Sequence, residues 1–193
     1  NAGGVFGDRE VTTDGFEKTF QVNHLAPFLL TNLLLKKLIE SNASVIQTSS
    51  IGSRMGGKVD LDDLQSEKNF SNVGAYNATK LQNILFTREL HRRFHARGIT
   101  AVAFHPGNIA SNFAKESKGI MKFIVTNPLL RALLLTSPEE GARHLVRFAE
   151  KAPGEDWISG TYYEKDEPAR RENPQGLDKD LARRLWEGSA HLL

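Results

Sequence analysis

The chain has 193 residues, a formal net charge of +2 at pH 7 and no cysteine. This length suits a single domain with a sizeable hydrophobic core. The absence of cysteine excludes disulfides, thiol catalysis and cysteine-bound metals, and indicates a reducing, cytoplasmic location. The arginine pairs are interleaved with acidic residues, which excludes nucleic acid as a partner, and no apolar run approaches the roughly 18 residues of a membrane span.

The first half of the chain predicts a helix, a buried strand and a polar connection, in that order. The chain opens on the turn NAGGVFG with no element before it, which predicts a fragment that lacks its N-terminal part. Asp14 and Glu17 have the spacing of a helix start, and residues 16–39 are apolar almost all round, as in a helix packed against a sheet. The run ASVIQTSS, residues 43–50, predicts a buried strand, and the polar residues 56–73 follow it.

The second half predicts three further helices that alternate with two strands. A helix is predicted over residues 75–97, where a glycine ends it, and ITAVAFHPG, residues 99–107, is typical of a second buried strand. Residues 136–150, TSPEEGARHLVRFAE, contain the signals of a helix start, with Ser137 as the cap, Pro138 at the first helical position and Glu140 completing the capping box. A short strand at residues 160–166 and a helix at residues 178–189 complete the order. This alternation predicts an α/β fold with a doubly wound parallel sheet.

Both buried strands end in residues that suit a ligand site. Ligands of doubly wound sheets bind outside the carboxyl ends of the strands. Residues 48–50 (Thr-Ser-Ser) end the first strand, residues 105–107 (His-Pro-Gly) end the second, and the helix that carries Tyr76 begins beside them. Lys80 lies one turn from Tyr76, so its ammonium is expected to lower the phenol pKa, which is about 10 in water. The spacing alone also suits an ordinary surface pair.

Five motifs, in this order, resemble those of the short-chain dehydrogenases/reductases. They are NAG at residues 1–3, VNHLAPFLLT around Asn23, VIQTSSIG around Ser50, YNATK from Tyr76 to Lys80, and HPGNIASNF at residues 105–113. The resemblance extends from residue 1 to about residue 165, and the polar insert resembles that of the retinol-dehydrogenase and WW-domain-oxidoreductase-like branch. It implies a Rossmann-type sheet whose first strands and glycine-rich turn are missing from this single-domain fragment.

The resemblance implies hydride transfer between a nicotinamide and a hydrophobic carbonyl or alcohol, with four catalytic residues. Tyr76 acts as the general acid/base, since a carbonyl oxygen that receives hydride needs a proton donor within hydrogen-bond reach. Lys80 binds the hydroxyls of the nicotinamide ribose. Ser50 holds the substrate oxygen, and Asn23 holds a water in the proton path.

The resemblance also implies a cofactor site, a lid and an assembly. The cofactor is NADP or NAD, with the resemblance favouring NADP, although Ser111 stands where the family usually has threonine. The residues expected to contact it are Asn1, Ala2, Gly3, Asn23, Tyr76, Lys80, Pro106, Gly107, Asn108, Ile109 and Ser111. Residues 113–136 are expected to form a substrate lid, whose apolar part also suits contact with a membrane surface. The helices at residues 16–39 and 75–97 are expected to pair in a homo-oligomer.

Other interpretations are open for the same residues. Ser50 suits a loop cap after a strand, and Asn23 suits a polar helix residue that is satisfied locally. The chain also suits a non-catalytic nucleotide-binding sensor or an interaction protein of the same fold, although a sensor does not need a proton relay. His91 and His95 have the i, i+4 spacing of zinc ligands, but no third ligand accompanies them, which favours a solvated or capping role.

Overall fold

The structure, a computed structural model, describes residues 2–107, 127 and 137–193. Over these residues the chain forms one four-stranded sheet in the order β1-β2-β3-β4. The strands are β1 (Ser44–Thr48), β2 (Thr100–His105), β3 (Thr161–Glu164) and β4 (Glu167–Pro168). The first three strands are parallel, and β4 pairs antiparallel with β3. The predicted α/β fold with a parallel sheet is confirmed.

Helices connect the strands in the described ranges. They are α1 (Lys18–Phe20), α2 (Ala26–Leu33), α3 (Leu35–Glu40), α4 (Gly52–Met55), α5 (Asn72–Phe94), α6 (Pro138–Glu150) and α7 (Lys179–His191), with a π-helical turn at Gln21–Leu25 and 3₁₀ turns at His95–Arg97 and Pro174–Leu177. Within these ranges we find no helix with the combined length and apolar character that a bilayer crossing requires. The long helix α5 makes the crossover from β1 to β2 that a parallel pair needs.

Helices cover both faces of the sheet, because successive side chains of a strand point in opposite directions. On β2, Ala101 joins a cluster with Phe86 of α5 and Trp186 of α7. Its neighbour Val102 joins a different cluster, which includes Phe148 of α6. The sheet is therefore the middle layer of the fold, as the nearly continuous apolar run of β2 predicts.

The helix predicted over residues 16–39 is interrupted. Its N-cap is Glu17, whose carboxylate accepts two backbone N–H groups of the first turn at 2.7 and 2.8 Å. The chain then widens into the π-helical turn before α2. Pro27 explains this change, because proline has no N–H to donate to the carbonyl of Asn23 and its ring clashes with that carbonyl in a regular α-helix.

Other predicted helix ends are confirmed. Ser137 caps α6 by accepting the N–H of Glu140 at 3.1 Å, and a proline follows at the first helical position. Ser71 caps α5, so this helix begins slightly earlier than predicted. At its other end Gly98 has a φ of +97°, a left-handed conformation that stops the helix and that glycine adopts without strain.

One edge of the sheet is open in the described part of the chain. β1 pairs with β2 on one side, and no described strand pairs with its other side. Five of the six residues of β2 are buried but only one of the five in β1, so the open edge leaves β1 partly in solvent. At the C-terminal part of α2, the exposed apolar side chains are Leu29, Leu30, Leu33 and Leu34. An open strand edge and an exposed apolar helix face both favour association.

The 193-residue chain by itself is expected to associate or to stay loosely packed, because these apolar surfaces face solvent. We expect broad thermal unfolding, oligomers in size-exclusion chromatography and no tight binding of NAD(H) or NADP(H). Leu33→Glu, at a side chain that is 73% exposed, should reduce the association, whereas Leu177→Glu, at 61% exposure outside α2, should not. A sharp melt of a monomer with micromolar nucleotide affinity would contradict this expectation.

Candidate active site

The candidate site lies where β1 and β2 end side by side. Thr48, the last residue of β1, pairs with Phe104 near the end of β2. Ser50 follows β1 by two residues, and Tyr76 lies in the second turn of α5. The carboxyl ends of two parallel strands and the start of a helix therefore converge, which is the usual ligand position in such folds.

Tyr76 and Lys80 are buried, so they do not form an ordinary surface pair. Their exposed fractions are 8% and 5%, and the Lys80 Nζ lies 5.5 Å from the centroid of the Tyr76 ring. The ammonium donates to the carbonyl of Thr48 at 3.0 Å, and Ser49 Oγ donates to the carbonyl of Lys80 at 2.7 Å. These bonds hold α5 against the end of β1.

The pKa of Tyr76 moves in the direction opposite to the one that the sequence predicts. Burial raises it to about 12, and hydrogen bonding with the Ser50 side chain offsets only part of the rise. Burial also lowers the pKa of Lys80 to about 8. The expected lowering by Lys80 is not found, because burial is the largest influence on the phenol and the nearby Tyr162 raises its pKa further.

Ser50 sits in a short turn that fixes its hydroxyl. Its Oγ accepts the N–H of Gly52 at 3.1 Å, so Ser50 does cap the loop after β1. Its carbonyl accepts the Ser53 hydroxyl at 2.7 Å. A hydroxyl that accepts one bond can still donate its own proton, so Ser50 Oγ can hydrogen bond with Tyr76 or with a substrate oxygen.

Asn23 ties the start of the chain to α5. It lies in the π-helical turn with only 1% exposure, a kind of turn that is frequent at functional sites. Its side-chain amide donates to the carbonyl of Gly4 at 3.0 Å and to Thr79 Oγ1 at 3.1 Å, and its Oδ1 accepts the N–H of Gly4 at 2.9 Å. Thr79 Oγ1 donates to the carbonyl of Tyr76 at 2.7 Å. Asn23 is thus satisfied by partners that are distant in sequence, and its side chain holds Gly4 against α5.

The NAG turn and the end of β2 leave space beside Lys80. A Cβ at Gly3 would lie 2.8 Å from Asn23 Oδ1 and 3.5 Å from Lys80 Nζ, so only glycine leaves this approach open. Over the described residues the buried ammonium makes one hydrogen bond, to Thr48, which leaves donors for a ligand with hydroxyl groups. Gly107 has a φ of +97° and donates its N–H to His105 Nδ1 at 3.3 Å, which shapes the turn after β2. These residues fit the ribose and nicotinamide part of a dinucleotide.

Several predicted site residues lie outside the described residues. They are Asn1, Asn108, Ile109 and Ser111, together with residues 113–126 and 128–136 of the predicted lid. Ala2, Gly3 and Pro106 lie within the described residues, with Ala2 and Gly3 exposed and Pro106 half-buried.

The histidine pair on α5 has a structural environment. The rings of His91 and His95 stack with centroids 4.5 Å apart. His91 Nδ1 is 2.8 Å from Ser159 Oγ, and His95 Nδ1 is 3.3 Å from the carbonyl of Ile99. Over the described residues no group of three potential metal ligands occurs. The two contacts join the end of α5 to Ser159 and Ile99, which lie just before β3 and β2.

Two residues of the candidate site, Tyr162 and Thr79, were not predicted from the sequence. Tyr162 on β3 is buried, and its hydroxyl donates to the carbonyl of Ser50 at 3.3 Å. Thr79 is the link between Asn23 and Tyr76 described above. Thr79 could have been predicted, because a residue three positions after Tyr76 lies on the same face of the helix. Nothing near Tyr162 in the sequence connects it with Ser50.

Residues 1–119, which contain Asn23, Ser50, Tyr76 and Lys80, match the family model described as short chain dehydrogenase. The chain belongs to this family. The short-chain dehydrogenases are oxidoreductases that use NAD(P). The predicted resemblance is therefore confirmed at the level of the family.

Retinol dehydrogenases are similar to this short-chain dehydrogenase over its whole length. Retinol dehydrogenase 11 of Mus musculus is 38% identical over 194 residues, which cover 100% of this chain and 59% of the relative. Retinol dehydrogenase 13 of Homo sapiens is 38% identical over 200 residues, with the same two coverages. The chain thus spans 59% of the length of these relatives.

Solved structures share the fold. An uncharacterised protein from Mycobacterium paratuberculosis matches with a TM-score of 0.66 at 28% identity, over 99% of this chain and 63% of that protein. A short-chain dehydrogenase/reductase from Caenorhabditis elegans matches with a TM-score of 0.63 at 17% identity, over 86% and 62% of the two chains. At that lower identity, the second match concerns the fold alone.

Proposed function

We propose that the protein is an NAD(P)-dependent oxidoreductase that transfers a hydride between a nicotinamide and a hydrophobic carbonyl or alcohol. The observation that carries this proposal is the convergence of Ser50, buried Tyr76 and buried Lys80 at the adjoining ends of β1 and β2. Membership of the short-chain dehydrogenase family supports the reaction type. The similarity to retinol dehydrogenases supports a hydrophobic substrate.

Tyr76 has the protonation state of a general acid at neutral pH. With a pKa of about 12, the phenol keeps its proton until a carbonyl oxygen gains negative charge. Ser50 shares that oxygen, because its hydroxyl hydrogen bonds with Tyr76 and is fixed by Gly52. A protonated phenol is the form that can supply a proton to the oxygen in carbonyl reduction.

Lys80 and the NAG turn suit the nicotinamide ribose. The bound cofactor supplies the hydride. The ammonium has donors left for two ribose hydroxyls after its bond to Thr48, and Gly3 leaves room for their approach. Such bonds favour the charged form of the amine, so ligand binding should raise the pKa of Lys80 from its value of about 8.

Asn23 has two roles in this proposal. Its side chain is fully occupied with Gly4 and Thr79 and positions the NAG turn. Its carbonyl lacks the usual α-helical donor, because the residue four positions on is Pro27. We assign this carbonyl as the acceptor that holds a water between Lys80 and solvent.

The proposal is tested with the full-length protein, NADPH or NADH, and a series of aliphatic aldehydes of increasing chain length. Oxidation of the nicotinamide should accompany reduction of the aldehyde. The kcat/KM should rise about threefold to fourfold per added methylene while the chain fits its pocket, since each buried CH₂ contributes about 0.8 kcal/mol. A polar sugar aldehyde, as the control, should react slowly.

The alternative, a non-catalytic nucleotide-binding protein of the same fold, gives a different result. Such a protein binds the nicotinamide nucleotide tightly but oxidises none of it with any carbonyl. That outcome, with a fully folded sample, would overturn the proposed oxidoreductase function.

A further inference from the structure

We propose that residues 172–176, the clasp, position Ser50 for the reaction by holding residues 50–57, the serine loop, against α5. Asn173 is the residue of the clasp that acts on the loop. The inference rests on the proposed function, because Ser50 is the group assigned to the substrate oxygen. Asn173 itself touches neither substrate nor cofactor and is a positioning residue.

The amide of Asn173 bridges two carbonyls of the serine loop. Its Nδ2 donates to Ser53 at 3.0 Å and to Gly57 at 2.6 Å, across more than a hundred residues of chain. Both carbonyls lie at the end of the short helix α4, where carbonyl groups have no partner within the helix. Gly57 is packed tightly, since a Cβ there would lie 2.5 Å from the Ser53 carbonyl oxygen. The Asn173 amide therefore fixes how α4 ends.

A second set of bonds carries this constraint to the catalytic serine. The Ser53 hydroxyl donates to the Ser50 carbonyl at 2.7 Å, and the Tyr162 hydroxyl donates to the same oxygen at 3.3 Å. The N–H of Gly52 in turn fixes Ser50 Oγ at 3.1 Å. Asn173 is thus two hydrogen bonds away from Ser50, with Ser53 as the shared residue.

The clasp is itself anchored to the helix that carries the catalytic tyrosine. Glu172 accepts two bonds from Arg88 of α5, at 2.6 and 2.9 Å, and Arg88 also donates to the carbonyl of Gly176 at 2.5 Å. The side-chain amide of Gln175 pairs with both backbone groups of Val59, at 2.9 and 3.0 Å. The clasp therefore binds α5 through Glu172 and Gly176, and it binds the serine loop through Asn173, which lies between them.

The consequence concerns the alignment of two hydroxyls. A substrate oxygen must lie within hydrogen-bond reach of Ser50 and Tyr76 at the same time. Ser50 is on a loop and Tyr76 is on α5, so their separation depends on what joins loop and helix. Small errors in such alignment cost large factors in rate.

Asn173→Asp removes the hydrogen bonds to the serine loop and keeps the local structure of the clasp. The Asn173 Oδ1 accepts the N–H of Gln175 at 3.0 Å, and aspartate keeps that cap. It replaces the donating amide by an oxygen that repels the Ser53 and Gly57 carbonyls. Asn32→Asp is the matched control, because the Asn32 amide likewise donates to a backbone carbonyl, at 2.8 Å, but on α2.

In the full-length protein, Asn173→Asp should lower kcat for carbonyl reduction about 10- to 100-fold and leave nucleotide affinity within about twofold. In a Ser50→Ala background the same substitution should have no further effect, because the group that it positions is gone. Asn32→Asp should leave kcat unchanged in both backgrounds. Equal losses from Asn173→Asp with and without Ser50 would overturn the proposal.

A second measurement does not depend on turnover. Asn173→Asp should accelerate amide hydrogen exchange in residues 50–57 and leave β2 protected. Unchanged exchange in the serine loop would overturn the clasp whatever the enzyme does. Faster exchange in a protein that reduces no carbonyl would instead uphold the clasp as a loop constraint and count against the oxidoreductase function.

Discussion

Tyr76→Phe in the full-length protein is expected to lower kcat/KM for carbonyl reduction by about 10²- to 10⁴-fold, the usual contribution of a positioned general acid. The substitution removes only the hydroxyl that hydrogen bonds with Ser50. The ring and its packing 5.5 Å from the Lys80 ammonium stay in place. Nucleotide affinity should therefore remain close to that of the unmodified protein.

The matched control is Tyr163→Phe. Tyr163 is buried like Tyr76, and its hydroxyl accepts the N–H of Ile158 at 2.9 Å in the cluster on the opposite face of the sheet. Its loss should lower the melting temperature slightly and leave the rate unchanged. Full reductase activity in Tyr76→Phe would exclude Tyr76 as the proton donor. Equal losses of rate in both variants would point to damage of the fold instead.

The convergence of the candidate site follows from features that the sequence displays. The alternation of strands and helices predicts a parallel sheet, and the carboxyl ends of parallel strands share one edge. Ser50 stands directly after β1, and the one-turn spacing of Tyr76 and Lys80 places both on one helix face. Each of these steps needs only local pattern and topology, so the convergence of these residues could be predicted from the sequence.

The direction of the Tyr76 pKa shift could not be predicted in this way. The sequence shows the nearby lysine but not the depth at which both groups are buried. Burial depends on the helices and loops that cover them, and here it is the largest cause of both pKa shifts.

The contact between the clasp and the serine loop could not be predicted from the sequence for a related reason. Asn173 and Ser53 are 120 residues apart, and no periodic pattern connects an asparagine near the end of the chain with the loop after β1. The interruption at the π-helical turn is different, because Pro27 was visible in the sequence. The apolar run on both sides of Pro27 favoured one continuous helix. Because proline has no N–H to donate, the structure instead has a π-helical turn before α2.

Lys80→Met should impair both cofactor binding and rate, because the proposed function gives Lys80 the ribose hydroxyls and the water that Asn23 holds. A hydrogen bond from a charged donor contributes about 1.5–3 kcal/mol, so nucleotide affinity should fall about 10- to 150-fold. Wild-type kcat/KM for reduction should fall as pH rises through about 8, where free Lys80 loses its charge. The variant should lack this step.

The same variant makes a prediction about stability that needs no activity. Folded Lys80 has a pKa of about 8, below its ordinary 10.5, so between these values the unfolded chain binds more protons and the free energy of unfolding rises with pH. Burial raises the pKa of Tyr76 and of Tyr162 from 10.0 to about 12, which lowers the free energy of unfolding above pH 10. Between pH 8 and 10 the effect of Lys80 is therefore not opposed by these two tyrosines. Chemical denaturation of the full-length protein should show the rise in this window, and Lys80→Met should flatten it. Lys36→Met, at a side chain that is 92% exposed, should keep the rise. An unchanged slope in Lys80→Met, with an intact rate, would mean that the Lys80 ammonium is solvated in the folded protein and serves neither the fold nor the cofactor.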